Sequence, residues 1–233
     1  MKADEIIFRL RTLASPENVA GMARFGIVPK EAFGVPGQQL KLIARELKGQ
    51  AEDRHALASD LWETGIHEAR IIAYLIDDPK RVTSEQMDRW AAGFDSWAIC
   101  DSTCGRLFSR TPFAYEKAFE WSESHELFVK RAGIVLAAWL AVHDKKAGYE
   151  AIGRFLPMLE RHAGDERDVI RKAISWSLRQ IGKRDLKLNA LAIETAEKIK
   201  GQETKSARWI ASSVVRELTS EKVLVRLRAK KAE

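Results

Sequence analysis

At 233 residues, 45% of them hydrophobic, the chain is long enough for one large domain or a short array of repeats, and apolar enough to bury a full core. It shows no recognisable secretory leader, no apolar run long enough to span a bilayer and only two cysteines, Cys100 and Cys104, so a cytoplasmic protein without a disulfide framework or membrane contact is expected. The net charge of +6 is unevenly spread, because residues 171–233 hold 16 Lys and Arg against 7 Asp and Glu, whereas residues 1–170 hold 23 against 26; such a basic last quarter is either a footprint for a polyanion or a solvated lysine-rich surface.

Apolar residues recur at helical spacing almost throughout, and nothing reads as a strand, so an all-α fold is expected. Ser15-Pro16-Glu17 sets a hydroxyl cap before a proline, a strong helix start, and the chain breaks at Gly34-Val35-Pro36-Gly37. A further break falls at Asp77-Asp78-Pro79, and Ser84-Glu85 opens the next helix. In Phe94-Asp95-Ser96-Trp97-Ala98-Ile99-Cys100-Asp101, the caps Asp95 and Ser96 start a helix that carries Trp97 and Asp101 at i and i+4. The same face continues through Cys104 and Phe108. A carboxylate beside an indole on an apolar stripe calls for a partner or a task.

Thr111-Pro112 marks the next start, and the segment from Phe128 to Val142 is apolar nearly all round. Arg131 shares a stripe there with Phe128, Val135, Ala138 and Val142, and a buried guanidinium needs an anion. Asp101, a phosphate, or another carboxylate in a structural ion pair would each serve. After the break at Gly164, Asp165-Glu166 opens a helix over about 168–183. On it Lys172, Trp176, Arg179 and Lys183 fall within about 60° of one another, opposite Ile170, Ile174 and Ile181. Trp176 is thus placed among cations, as an indole meeting nucleic acid would be, or it covers a neighbouring helix with lysine stems over it. A last break falls at Gly201-Gln202, and the basic end, 226–233, either extends the final helix or frays.

A weak repeat runs through Ala69-Arg70-Ile71, Lys130-Arg131-Ala132, Arg171-Lys172-Ala173 and Ala207-Arg208-Trp209, each a cation before a small or apolar run. Later copies lie about 40 residues apart, as in HEAT-like or armadillo-like helix pairs. The expectation is one domain, 1–233, built as a right-handed α-solenoid. The helices bearing Arg70, Asp101, Arg131, Lys172 and Arg208 would line a basic concave face. The five histidines have no ligand spacing relative to Cys100 and Cys104, so no metal site is expected, and no phosphate loop or serine elbow suggests another cofactor or chemistry.

These residues meet a known family. The chain resembles the DNA alkylation repair proteins built of HEAT-like repeats, the AlkD-type alkylpurine DNA glycosylases. The likeness runs from Met22-Ala23-Arg24-Phe25-Gly26-Ile27 to Ser206-Ala207-Arg208-Trp209-Ile210-Ala211. Between them lie Trp62-Glu63-Thr64-Gly65-Ile66-His67-Glu68-Ala69-Arg70, Thr111-Pro112-Phe113-Ala114-Tyr115-Glu116-Lys117-Ala118, Phe128-Val129-Lys130-Arg131-Ala132-Gly133 and Ser175-Trp176-Ser177-Leu178-Arg179-Gln180-Ile181-Gly182-Lys183.

The resemblance implies that Trp97, Asp101, Arg131 and Trp176 form a catalytic cleft. Phe25 matches an aromatic of the first helical pair, and Arg179 a backbone-contacting arginine. Ala98 stands where the nearest branch has an acid, while the acid matching the catalytic one is kept. The implied activity is excision of cationic N3- or N7-alkylpurines from duplex DNA, by a monomer without cofactor. Asp101 would stabilise the sugar cation and orient water. Trp97 and Trp176 would bracket the lesion, and Arg131 would hold a phosphate or Asp101. Phe25, Arg70, Lys172, Arg179, Lys183 and Arg208 would bind DNA. The alternatives are a catalytically silent DNA-binding relative and a protein-binding HEAT scaffold.

Overall fold

The computed structural model describes residues 2–232, so Met1 and Glu233, the ends of the expected domain, lie outside the described residues. Among these residues there are fifteen α-helices and no strand. The helices are α1 (Ala3–Thr12), α2 (Pro16–Ala23), α3 (Gly37–Gln50), α4 (Arg54–Glu63), α5 (His67–Ile76), α6 (Ser84–Ala92), α7 (Trp97–Arg106), α8 (Ala114–Ser122), α9 (Leu127–His143), α10 (Tyr149–Gly153), α11 (Phe155–Arg161), α12 (Asp168–Gly182), α13 (Leu186–Lys200), α14 (Lys205–Leu218) and α15 (Glu221–Ala232). A 3-10 turn covers Phe108–Arg110. None of these helices is long and apolar enough to cross a membrane.

Local chemistry explains several starts. Ser15 accepts a hydrogen bond from the Asn18 amide, and Pro16 takes the first helical position of α2. Asp53, Thr83, Asp185 and Thr204 cap α4, α6, α13 and α14 in the same way. One start differs from the sequence expectation. The Thr111 hydroxyl donates to the Phe108 carbonyl at 2.9 Å and closes the 3-10 turn, so α8 begins only at Ala114. The Asp165 carboxylate takes the backbone and side chain of Arg167, and α12 begins at Asp168, where the sequence places it. The 3-10 turn also moves Phe108 off α7, and the expected Trp97–Asp101–Cys104 stripe ends with that helix. The basic end extends the last helix, α15, as far as Ala232.

The chain divides into two compact units, one up to Phe113 and one from Ala114. In the first, α3 packs on α5 and α5 on α7, with α4 paired to α5. Gly65, at φ 72°, turns the chain between those two helices in a region L side chains avoid. Trp62 and Trp90 stack with ring centroids 4.1 Å apart, and Phe94 closes the cluster edge-on. Cys100 and Cys104 are buried in α7 and not joined in a disulfide.

In the second unit α8 packs on α9, α9 on α12 and α12 on α14, while α13 lies against α11, α12 and α14. The closest approach between backbones is at Gly133, where an added Cβ would sit 2.4 Å from the Ser122 nitrogen and 2.8 Å from the Ala118 carbonyl oxygen. Side chains join α9, α12 and α14 at spacings of 38 to 43 residues: Arg131 meets Val169, Ser175 meets Ser213 and Arg179 meets Glu217 at 38, while Ser177 meets Ile134 and Arg184 meets Ala141 at 43. The cations of the sequence repeat do not share one environment. Arg131 is buried, while Lys172 and Arg208 are exposed.

Candidate functional site

In the first unit α7 presents Trp97 in its first turn and Asp101 one turn later. Trp97 is 37% exposed, and Asp101 is half-buried. The indole Nε1 donates to the Phe25 carbonyl at 2.9 Å. That bond ties α7 to the turn after α2, where Gly26 takes φ 69° and Phe25 stands 72% exposed. Two aromatics far apart in sequence are thus brought together, with both rings reachable from solvent. Ala98 is half-buried beside them and adds no second acid.

Arg70 of α5 is engaged within the protein. Its guanidinium donates to the Gly93 carbonyl at 2.9 Å, reaches Asp95 at 3.4 Å and lies over the Trp62 ring at 5.2 Å. These contacts fasten α5 to the loop that leads into α7. Asp95 was read as a helix cap; its carboxylate instead faces Arg70, and Ser96 is the residue at the cap position of α7.

In the second unit Arg131 of α9 is buried and donates to the Val169 carbonyl in the first turn of α12. Two turns along the same seam, Trp176 meets Trp139 edge-on, with centroids 5.3 Å apart and planes at 81°. Trp139 in turn stacks on His143 at 4.9 Å. Trp176 is thus half-buried against a neighbouring helix, with part of its surface left to solvent. Trp139 was not singled out in the sequence, because its stripe on α9 is apolar like every other stripe of that helix.

The cations expected around Trp176 separate into two groups. Arg179 and Lys183 both bind Glu217 of α14, at 2.5 and 2.8 Å. Burial pushes the Glu217 carboxyl up, but the hydrogen bonds from Lys183 and Arg179 and their charges outweigh it and hold it below its ordinary value. Lys172 is exposed and pairs with Asp168 one turn earlier at 3.4 Å. Arg208 is exposed and donates to the Glu203 carbonyl at 2.8 Å. Beside Arg208, Trp209 is 40% exposed and carries the Arg171 guanidinium over its ring at 5.0 Å. This aromatic–cation pair on adjoining helices escaped the sequence reading; its signal was an apolar side chain off the Ile210–Val214 core stripe. The face of α12 and α14 thus offers Lys172, Arg171, Trp209 and Arg208 to a ligand. No group of three or more His, Cys, Asp or Glu among the described residues could hold a metal ion.

Comparison with known proteins bears on the family and the fold. A family model described as DNA alkylation repair enzyme matches residues 6–213, a span that includes Trp97, Asp101, Arg131 and Trp176. A solved structure has a similar fold, with a TM-score of 0.75 and 21% identity over 93% of this chain and 95% of its own. It is described as one of a new family of proteins related to the HEAT-like repeat DNA glycosylases with affinity for branched DNA structures. No curated protein matches the chain.

Proposed function

The chain belongs to the DNA alkylation repair enzyme family, and we propose that it is a DNA glycosylase that hydrolyses the N-glycosidic bond of cationic N3- or N7-alkylpurines in duplex DNA. The observation that carries this reading is the α7 edge, where an anchored, solvent-reaching Trp97 stands one turn from a half-buried carboxylate, Asp101. An alkylated purine already carries a positive charge and leaves without protonation. What the reaction requires is stabilisation of the sugar cation left behind. Asp101 supplies a fixed negative charge for it and a base that orients water. On the first unit Trp97 offers a ring face to the lesion nucleotide and to the developing charge, and on the second unit Trp176 offers one to DNA. Arg131, on α9, is the cation for a flanking phosphate. The exposed cations of α12 and α14 hold the backbone without reading sequence.

The test is single-turnover release of N7-methylguanine from duplex DNA. Asp101→Asn keeps the shape and removes the charge, so release is expected to fall about a hundredfold or more while DNA affinity holds. Equal rates in parent and variant overturn the role of Asp101. A second reading is favoured by two observations. Ala98 stands where the resemblance implies an acid, three residues before Asp101, and the structural relative is described by its affinity for branched DNA. On that reading the chain binds DNA junctions without excising bases. The parent would then release no base and would prefer a branched to a linear duplex.

A further inference from the structure

At the far end of the α9–α12 seam the last helix brings a second set of cations to the second unit. Lys222, Arg226 and Lys230 follow one another at i, i+4 and i+8 on α15. Like charges at this spacing repel and destabilise a helix. Elsewhere the chain offsets such lysines, as where Glu194 pairs with Lys198 on α13. Among the described residues the ion pair on α15, Glu221 with Arg228 at 3.8 Å, lies off this stripe. Val223 and Leu227 seat the helix in the core, which fixes the stripe in place.

The stripe borders three adjoining cavities. One of about 610 Å³ is lined by Lys145, Lys183, Arg184, Arg226 and Lys230, with Asp185 as its one acid. A second, of about 840 Å³, shares Lys145, Arg184, Asp185 and Lys230 with it. A third, of about 410 Å³, shares Lys183 and Arg226 and adds Lys222. Shared walls make these one groove.

Some of the cations have internal work. Arg184 donates to the Ala141 and Ala147 carbonyls, and Lys183 is held by Glu217. The Asp185 carboxylate caps α13 through the Leu188 amide at 2.8 Å. Lys230 reaches the Lys183 and Arg184 carbonyls only at 3.4 and 3.5 Å. Burial, then the charges of Arg226, Lys145 and Arg184, push the Lys230 ammonium below its ordinary pKa, with Asp185 opposing them. Lys145 and Arg226 form no ion pair among the described residues.

We propose that this groove binds the sugar–phosphate backbone of DNA, as a contact separate from the exposed face of α12 and α14. The proposal rests on the DNA-binding reading above. The occupant follows from the lining. Across the joined cavities Lys145, Lys183, Arg184, Lys187, Lys222, Arg226 and Lys230 face Asp185 and Glu217, and seven cations against two acids call for a polyanion. The run of joined cavities suits a chain of phosphates better than one anion. The first cavity has no aromatic wall on which a nucleotide base would stack, which argues for backbone over a free nucleotide.

The experiment compares binding of a short linear duplex by the parent, by Lys145→Glu/Arg226→Glu/Lys230→Glu, and by Lys172→Glu/Arg208→Glu, across a salt series. A second triple variant with Gln at the three groove positions guards against misfolding of the first. Both triple variants should lower the salt slope by about two to three units and weaken binding roughly tenfold near 0.1 M salt. Parent-like slope and affinity in both, with the Lys172→Glu/Arg208→Glu variant weakened, overturn the groove and leave the DNA-binding reading standing. A parent that binds no DNA at low salt overturns both. Sodium tripolyphosphate separates the two sources of phosphate. If the triple variants lose it while their duplex binding stays as in the parent, the groove holds small phosphates and its assignment to DNA is overturned.

Discussion

Glu217 shows how one side chain redirects a reading made from helix geometry. Arg179 and Lys183 face the side of α12 expected for DNA contacts, yet a carboxylate from α14 holds both. A phosphate reaching these cations must displace Glu217 or share it. Glu217→Gln should therefore raise duplex affinity several-fold and steepen its salt dependence by about one to two units. The stability cost should stay below about 1 kcal/mol for so solvent-accessible a network. Fluorescence titration and urea unfolding measure the two effects; unchanged affinity would mean that Arg179 and Lys183 do not meet DNA. Trp97 gives a complementary case. Trp97→Phe keeps a ring and removes the Nε1 bond to Phe25, so unfolding free energy should drop by about 1 kcal/mol. A larger loss would mean that the indole packs more of the first unit than its exposure indicates.

Among the elements, the α8–α9 contact is the tightest point of the second unit. An added methyl at Gly133 has backbone atoms, not pliable side chains, as its neighbours. Gly133→Ala should therefore cost about 1–3 kcal/mol or more, despite the better helix propensity of alanine. The corner before α12 makes a second test. The side-chain hydrogen bond from Arg167 leads the causes that hold the Asp165 carboxyl at about 2, helped by the Arg167 amide and by Lys130. A lowered carboxyl pKa adds stability at neutral pH, and that stability is lost as pH falls from about 4 through about 2. Asp165→Asn should destabilise the protein at pH 7 and flatten the acid limb of its stability profile in that window. An unchanged acid limb would show that the ion pair does not persist in solution.

For the whole molecule the relevant quantity is the distribution of charge, since residues 171–233 carry the basic excess. Counterion release makes DNA affinity fall steeply with salt wherever Lys and Arg neutralise phosphates. Lys172→Ala and Arg208→Ala should each lower the salt slope by about one unit, and by the same amount on unrelated sequences. A slope that changed on one sequence only would point to base contact at that position. These exposed cations are the sharper test, because Arg70 and Arg131 are already bound to carbonyl groups.

Helix content, the Ser15 cap and the apolar character of α9 were legible in the sequence, because they depend on residues within a turn or two of one another. Trp97 and Asp101 stood out for the same reason: four residues on one helix define their relation whatever surrounds them. Contacts between helices were not legible. The placement of Arg131 against Val169 and Arg179 against Glu217 depends on helix lengths and corner geometry summed over a whole repeat. The burial of Arg131 and the exposure of Lys172 and Arg208 therefore did not show in the pattern they share. The bond from Trp97 to Phe25 and the capture of Arg70 by Gly93 and Asp95 likewise join segments distant in the chain. The sequence by itself determined the helices and the chemical types on their faces, since backbone and capping energetics are local. Only the tertiary structure decided which charges meet a partner inside the protein and which remain for a ligand, because a charge buried on folding must find its counter-group or carbonyl in space, irrespective of its distance along the chain.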